Sequence, residues 1–218
     1  TADSNGVIGR WGNLRTANAK GDLIANTAPT TSRWLRLKRA GNDFSMFWSY
    51  NGTDWTELPN SPKTSALPAK VLVGFAEMAD SPGITGNSLN RPWHYNTLAV
   101  RNLGDYTATP TVSGLVPAKI GTTQGGADNL GNGSYRITGG GVTAYNVDGD
   151  EVVGAYERIT GDFDKVVKIK GISKASSDWN RGGIQVRESL DARTRVLEVT
   201  AIGQSSETDD RSEEHTSE

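Results

Sequence analysis

Hydrophobic and polar residues alternate with a period of two along most of the chain, which favours β-strands over helices. The clearest case lies in residues 34–58, where the alternating runs WLRLK and FSMFWS are separated by the turn sequence AGND. A second turn, YNGTD, follows these runs. Asn-Gly between alternating runs is typical of a β-hairpin. The pattern therefore predicts antiparallel strands that bury Leu35, Leu37, Phe44 and Met46 on one face.

The same pattern predicts more strands along the rest of the chain. They fall at residues 71–75, 98–103, 152–159, 163–172, 183–188 and 195–201. Ile184 and Val186 share the buried face of one of them, and residues 105–141 contain Pro, Gly, Thr and Asn typical of a linker with short strands. Many short strands with glycine-rich turns predict an all-β, antiparallel jelly-roll sandwich.

Composition excludes several classes of protein. The 218 residues contain 23 Lys plus Arg and 25 Asp plus Glu, a balance that argues against a nucleic-acid partner. No run approaches the roughly 20 apolar residues that span a bilayer, so membrane insertion is not expected. Cysteine is absent, which excludes disulfides, thiolate metal sites and cysteine nucleophiles together.

Two pairs of segments resemble a known family. WLRLKRAGNDFSMFWSYNGTDWTEL (Trp34 to Leu58) and VLVGFA (Val71 to Ala76) resemble the second half of bacterial concanavalin A-like, or laminin-G-like, jelly-roll modules. GSYRITGGG (Gly133 to Gly141) and GDFDKVVKIKGISKASSDWNRGGIQVRESL (Gly161 to Leu190) resemble the first half. The resemblance implies a module of the kind that occurs in tandem in exported bacterial proteins.

The order of these halves predicts the domain organisation. Residues 1–104 form the C-terminal half of one repeat, residues 105–132 a linker and a first short strand, and residues 133–210 the N-terminal half of the next repeat. Residues 211–218 (RSEEHTSE) resemble a translated sequencing adapter and are expected to be disordered. Because each half has one apolar face without a cover, strands near 161–201 are expected to complement strands near 33–76 as one circularly permuted sandwich.

The resemblance also implies a function. We expect a non-catalytic module that binds polysaccharide or cell-surface glycan within a larger secreted or cell-surface bacterial protein, beside neighbouring repeats of the same chain. A structural spacer repeat without its own ligand is the alternative, and a glycoside hydrolase fragment is a more distant one.

One candidate ligand site lies in a loop. Trp93, His94 and Tyr95 occur together in the Gly-, Pro- and Asn-rich segment 80–97. Three amphipathic rings in one loop predict either a ligand platform or an anchor that holds the loop on the sheet.

A second candidate lies on a sheet face. Gln185 and Arg187 alternate with the buried positions of their strand, and Phe47 does so in its own strand. If both strands line one concave face, the three residues form a mixed aromatic and polar floor for an oligosaccharide. The alternative is an ordinary solvated face with Arg187 paired to a carboxylate.

Acidic residues suggest two further sites. Asn146, Asp148, Asp150 and Glu157 match positions 1, 3, 5 and 12 of a calcium-loop template. Position 6 is Glu151 where the template requires glycine, and neither flank is helical, so a solvated turn is favoured over calcium. No other cofactor is expected.

Asp162 and Asp164 are two residues apart, which would place their carboxylates about 6–7 Å from each other on one side of a strand. That separation suits a glycosidase pair. Concanavalin A-like glucanases, however, carry an E-x-D-x-E run within one strand, and this sequence has none. A polar strand start is favoured, and no catalytic residue is predicted.

Overall fold

The computed structural model describes residues 7–15, 22–27, 34–78, 98–102, 115–121, 123, 125–131, 133–139, 149–169 and 181–203. Within these ranges every regular element is a β-strand. The first part of the chain forms β1 (Val7–Arg15), β2 (Asp22–Thr27), β3 (Trp34–Ala40), β4 (Asp43–Ser49), β5 (Thr56–Glu57), β6 (Lys63–Thr64), β7 (Lys70–Met78) and β8 (Leu98–Asn102). The second part forms β9 (Val116–Ile120), β10 (Gly125–Gly131), β11 (Ser134–Gly139), β12 (Val152–Thr160), β13 (Phe163–Ile169), β14 (Arg181–Arg187) and β15 (Val196–Gly203).

The strands form two antiparallel sheets. A seven-stranded sheet has the order β2-β1-β15-β14-β7-β12-β9. An eight-stranded sheet has the order β10-β11-β8-β13-β3-β4-β5, and β6 pairs with β4 beside it. The chain is therefore an all-β protein whose antiparallel sheets are consistent with a β-sandwich.

Alternation along the strands builds the core between the sheets. Leu35, Leu37, Phe44 and Met46 of the eight-stranded sheet are at most 1% exposed, as the sequence predicts. The same cluster includes residues of the seven-stranded sheet: Val71, Val73, Phe75, Val153, Ala155, Ile184, Val186, Leu197, Val199 and Ala201. Burial of these apolar side chains away from water holds the inner faces of the two sheets together.

The two parts of the chain alternate within both sheets. In the seven-stranded sheet β7 lies between β14 and β12, and in the eight-stranded sheet β13 lies between β3 and β8. Leu37 is the register partner of Lys165, and Val73 is the register partner of Val186. The pairing expected between strands near 161–201 and strands near 33–76 is therefore present.

Sequence patterns missed several edge strands. The region 105–132 contains both β9 and β10, where one short strand was expected. β9 carries Pro117 and an exposed Val116, and β10 consists largely of Gly and polar residues. Such strands lie at the sheet edges, bury little apolar surface and therefore need no hydrophobic alternation. β1 and β2 were also not predicted.

Gly74 and Gly183 are among the glycines that allow neighbouring strands of the seven-stranded sheet to approach closely. A Cβ atom on Gly74 would lie 1.9 Å from the carbonyl oxygen of Ala155, and one on Gly183 would lie 2.1 Å from the carbonyl oxygen of Val199. Both distances are far below van der Waals contact and involve backbone atoms. Glycine is therefore required at these positions.

Candidate functional site

Aromatic and cationic side chains share the outer face of the eight-stranded sheet. Trp34 and Arg36 alternate with the inward leucines of β3, and Phe47 alternates with the inward residues of β4. Lys168 of β13 is the register partner of Trp34, and Trp55 precedes β5. All five side chains are half-buried. We call this set (Trp34, Arg36, Phe47, Trp55 and Lys168) the aromatic face.

Cation–π contacts organise the aromatic face. The guanidinium carbon of Arg36 lies 5.3 Å from the ring centroid of Phe47 and 5.5 Å from that of Trp55. The ammonium nitrogen of Lys168 lies 5.3 Å from the ring centroid of Trp34. These distances fall within the range in which a ring attracts a cation. The face therefore combines apolar rings with positive charge.

Asp164 holds Arg36 in this position. Arg36 Nε donates to Asp164 Oδ1 at 2.8 Å, and a guanidinium Nη2 donates to the second carboxylate oxygen. This bidentate arrangement fixes the plane of the guanidinium as well as its charge. Asp164 belongs to β13 and Arg36 to β3, so the pair also joins two neighbouring strands.

The turn after β4 presents an exposed ring to solvent. Ser49 Oγ accepts the backbone N–H of Gly52 at 2.9 Å, and Asn51 Oδ1 accepts those of Thr53 and Asp54 at 2.9 Å each. The side chains of Ser49 and Asn51 therefore fix the turn. Tyr50 within it is 57% exposed.

Tyr50 and Trp34 are both tied to this turn. The Tyr50 ring packs edge-on against Trp48, with 5.0 Å between centroids. Gly52 has a φ of +82°, and a Cβ there would lie 2.9 Å from Trp34 Cε2. The turn therefore backs Trp34 while it presents Tyr50 to solvent.

A buried polar network occupies the outer face of the seven-stranded sheet. Tyr156 donates its hydroxyl to Gln185 Oε1 at 2.8 Å, and Gln185 Nε2 donates to Glu198 Oε2 at 2.9 Å. Arg187 Nη1 donates to Gln185 Oε1 at 3.0 Å and forms an ion pair with Asp150. We call these five residues the buried polar network. Arg187 and Asp150 have side chains that are 0% exposed.

The connection from β14 to β15 folds back onto this network. Arg187 donates to the carbonyl oxygens of Ser189 at 3.2 Å and Asp191 at 3.0 Å. Asp150 donates its backbone N–H to the carbonyl of Ala192 at 2.8 Å. Burial also raises the pKa of Tyr156 above its usual value of 10.0, so this phenol is neutral in the folded protein at neutral pH.

The expected floor of Phe47, Gln185 and Arg187 is not formed, and that prediction was wrong. All three residues face away from the core, as alternation predicts, but Phe47 lies in one sheet and the other two lie in the other. The outer faces of the two sheets point in opposite directions. Arg187 does pair with a carboxylate, that of Asp150, although the pair is buried and not solvated.

The predicted calcium ligands do not converge where the structure describes them. Asn146 and Asp148 lie outside the described residues. Asp150 pairs with Arg187 on the outer face of the sheet, whereas Glu157 accepts from Lys165 Nζ at 2.7 Å on its inner side. Among the described residues no group of three or more His, Asp or Glu could hold a metal ion.

Asp162 and Asp164 each bind a different part of the neighbouring hairpin. Asp162 Oδ1 accepts the backbone N–H of Gly41 at 2.8 Å, while Asp164 pairs with Arg36. The two carboxylates thus bind the β3–β4 hairpin at separate points. The loop candidates Trp93, His94 and Tyr95 lie outside the described residues.

Sequence reasoning identified Phe47 but missed its neighbours. Arg36, Trp55 and Lys168 join Phe47 and Trp34 only through the pairing of β3 with β4 and β13. The alternation of Arg36 with Leu35 and Leu37 could have predicted this neighbour. It turns Arg36 away from the core, and the register of the β3–β4 hairpin then places Arg36 opposite Phe47 on the same outer face.

Comparison with known proteins finds no matching family model, no matching curated protein and no matching solved structure. Within the described part of the chain, no helix has the length and apolar character needed to cross a membrane. The class that the structure itself defines is an all-β protein of two antiparallel sheets, with an aromatic face on one sheet and a buried polar network on the other.

Proposed function

We propose that this chain is a non-catalytic module that binds polysaccharide or cell-surface glycan, built as a concanavalin A-like jelly roll within a larger secreted or surface-attached bacterial protein. The observation that carries the proposal is the aromatic face, together with the exposed ring of Tyr50 in the turn that packs against Trp34. A pyranose ring has an apolar C–H face and a rim of hydroxyls. Aromatic rings beside fixed polar groups suit both parts of such a ligand.

The partners of the acidic residues support binding over hydrolysis. A glycosidase needs two carboxyl groups that face one bond, one of them able to donate a proton. Here Asp164 is paired with Arg36, Asp150 with Arg187 and Glu157 with Lys165. Each of these three carboxylates is therefore occupied by a cationic side chain of the chain itself.

The second candidate function is a structural spacer, and a specific observation favours it. Lys168 already lies over the ring of Trp34, and Arg36 lies near both Phe47 and Trp55. Cations that occupy the ring faces stabilise the sheet without any ligand. Under this alternative the aromatic face is packing, and Tyr50 is an isolated exposed ring.

Polysaccharide binding by the full chain separates the two functions. We would screen the chain on a glycan array and then measure its dissociation constant for the best ligand. Tyr50→Ala is expected to weaken binding about tenfold, the loss of roughly 1.4 kcal/mol of contact energy. Leu190→Ala is the matched control, because Leu190 is also a large exposed side chain, at 46%, but lies in the β14–β15 connection.

Three outcomes of this experiment decide between the functions. Binding that Tyr50→Ala weakens and Leu190→Ala leaves intact supports the glycan-binding proposal. Binding that neither substitution changes would place the ligand elsewhere and contradict the assignment of the site. A stably folded chain that binds no polysaccharide would favour the spacer.

A further inference from the structure

The polar atoms of the aromatic face are all hydrogen-bond donors. Its five side chains are two tryptophans, a phenylalanine, an arginine and a lysine. The guanidinium, the ammonium and the indole each carry N–H groups, and none of these side chains contains an acceptor oxygen. A polar ligand on this face must therefore supply the acceptors.

Lys168 gives the aromatic face a positive charge that no described carboxylate neutralises. Its side chain is half-buried, and its ammonium nitrogen lies 5.3 Å from the ring centroid of Trp34. Among the described residues, ion pairs join Arg36 to Asp164 and other cations to other carboxylates, but none includes Lys168. The Trp34 ring attracts the ammonium without replacing the acceptors that its three N–H groups can bind. The ammonium therefore retains the capacity to bind an anion.

Two carboxylates near the aromatic face do not cancel this charge. Asp164 binds Arg36 through both of its oxygens. Glu57 is exposed in β5 and is the register partner of Phe47. β5 lies three strands away from β13, which carries Lys168, and this corresponds to about 14 Å at the usual strand spacing. Salt screens most of the interaction between charges at that separation.

Building on the proposed glycan-binding function, we propose that the ligand of the aromatic face is an acidic polysaccharide, whose carboxylate or sulfate group pairs with Lys168. A sugar hydroxyl both donates and accepts, whereas the aromatic face offers only donors. A carboxylate or sulfate is an acceptor only, so it matches this face. Hydrogen bonds between ionised partners are also about twice as strong as those between neutral ones. Both properties favour an acidic glycan over a neutral one.

Binding of the full chain to matched charged and uncharged polymers tests the class of ligand. Polygalacturonate and its fully methyl-esterified form share one backbone and differ in carboxylate charge, and dextran sulfate and dextran differ in the same way in sulfate. We expect at least one charged polymer to bind about tenfold more tightly than its uncharged counterpart. A preference within the first pair identifies a carboxylate ligand, and a preference within the second pair identifies a sulfate ligand.

Substitution of Lys168 tests where the charge of the ligand lies. Lys168→Gln removes the ammonium charge and should weaken binding of the preferred charged polymer about tenfold, with less than about a twofold effect on any uncharged polymer. Lys38→Gln is the matched control, because Lys38 is an exposed lysine of β3 in the same sheet but lies outside the aromatic face. Equal losses for the two variants would show a diffuse attraction and overturn the proposal.

Substitution of Glu57 should have the opposite sign. Successive sugar units of an acidic polymer carry further charges, and the exposed carboxylate beside Phe47 repels them. Glu57→Gln is therefore expected to strengthen binding of the charged polymer about twofold, a small effect because solvent screens an exposed charge. Circular dichroism checks that each variant is folded. If Lys168→Gln does not fold, the sign of the Glu57→Gln effect still decides, and weaker binding by Glu57→Gln would contradict the proposal.

The salt dependence of binding separates this inference from the proposed function itself. The affinity of the wild type for the charged polymer should fall as salt is added, because salt screens the attraction to Lys168. Equal affinities for the charged and uncharged forms of both backbones would overturn the acidic ligand and leave glycan binding in place. A folded chain that binds no polysaccharide of either kind would contradict both.

Discussion

The outer faces of the two sheets start from the same sequence pattern and end in different environments. Arg36 alternates with Leu35 and Leu37, just as Arg187 follows Val186. Arg36 remains half-buried beside aromatic rings, whereas Arg187 is fully buried among polar partners. The two faces differ in what covers them. The connection between β14 and β15 folds back over Arg187, and carbonyl oxygens of this connection accept hydrogen bonds from its guanidinium. Alternation therefore determines on which face of a strand an arginine lies. Whether a connection covers that face determines whether the arginine is buried.

The largest effect is expected from breaking the buried ion pair. Arg187→Met leaves the Asp150 carboxylate buried without its cation, which typically costs about 3–5 kcal/mol in the free energy of unfolding. Urea denaturation measures this loss. The double variant Arg187→Met with Asp150→Leu removes both charges and should recover much of the stability. A loss below about 1 kcal/mol for the single variant would show that the network does not stabilise this face.

The next largest loss of stability is expected from a substitution at Gly183, where β14 approaches β15 closely. Gly183→Ala forces a Cβ to within 2.1 Å of the Val199 carbonyl oxygen, and the strands must separate. We expect a loss of about 1–3 kcal/mol, as in overpacked cores. Gly126→Ala is the control, because a Cβ at Gly126 in edge strand β10 meets nothing within 4 Å. Equal unfolding midpoints for the two variants would contradict the close approach.

A smaller loss of stability is expected from removing the Tyr156 hydroxyl, which belongs to the buried polar network. Burial raises the folded-state pKa of Tyr156 above 10.0, so its contribution to stability is complete below pH 10.0 and is lost as the pH rises beyond that value. Tyr156→Phe removes the hydroxyl and should cost about 0.5–1.5 kcal/mol at neutral pH. The variant should then lose less stability than the wild type at alkaline pH.

Part of the loss of stability at alkaline pH should remain in Tyr156→Phe. Burial, together with the negative charge of Glu157, also raises the pKa of Tyr135. Denaturation curves recorded from neutral pH to above pH 10.0 measure both contributions. Identical alkaline slopes for the wild type and Tyr156→Phe would show that Tyr156 ionises freely in the folded protein.

The smallest effect is expected from the ion pair between Arg195 and Glu188, which lie beside the paired ends of β15 and β14. Arg195 Nε lies 2.9 Å from Glu188 Oε2, but both side chains are about one-third exposed, at 33% and 34%. Solvent screens such a pair, so Glu188→Gln should cost below about 1 kcal/mol. Comparison of Glu188→Gln with Arg187→Met tests whether the burial of an ion pair determines how much that pair contributes to stability. A loss for Glu188→Gln as large as that for Arg187→Met would contradict this.

The sequence predicted the strands that border the core well. Leu35, Leu37, Ile184 and Val186 are buried where period-two alternation places them, because burial of one strand face is a local requirement. The same alternation correctly turns Phe47 away from the core. These predictions succeed because they need only the strand itself.

The assembly of sites could not be predicted in this way. Whether Phe47 and Gln185 share a surface depends on which sheet each strand joins, and that order is set by pairings between residues more than a hundred positions apart. The burial of Arg187 depends in turn on carbonyl groups of the following connection. Neither property leaves a periodic signal in the sequence.

The most direct test of the binding face is a map of where a glycan contacts the folded chain. Backbone amide chemical shifts would be recorded by nuclear magnetic resonance during titration with the best ligand from the array. The account predicts that the shifts concentrate at Phe47, Tyr50 and Lys168 on the eight-stranded sheet. Shifts confined to Gln185 and Glu198 on the opposite sheet would contradict it.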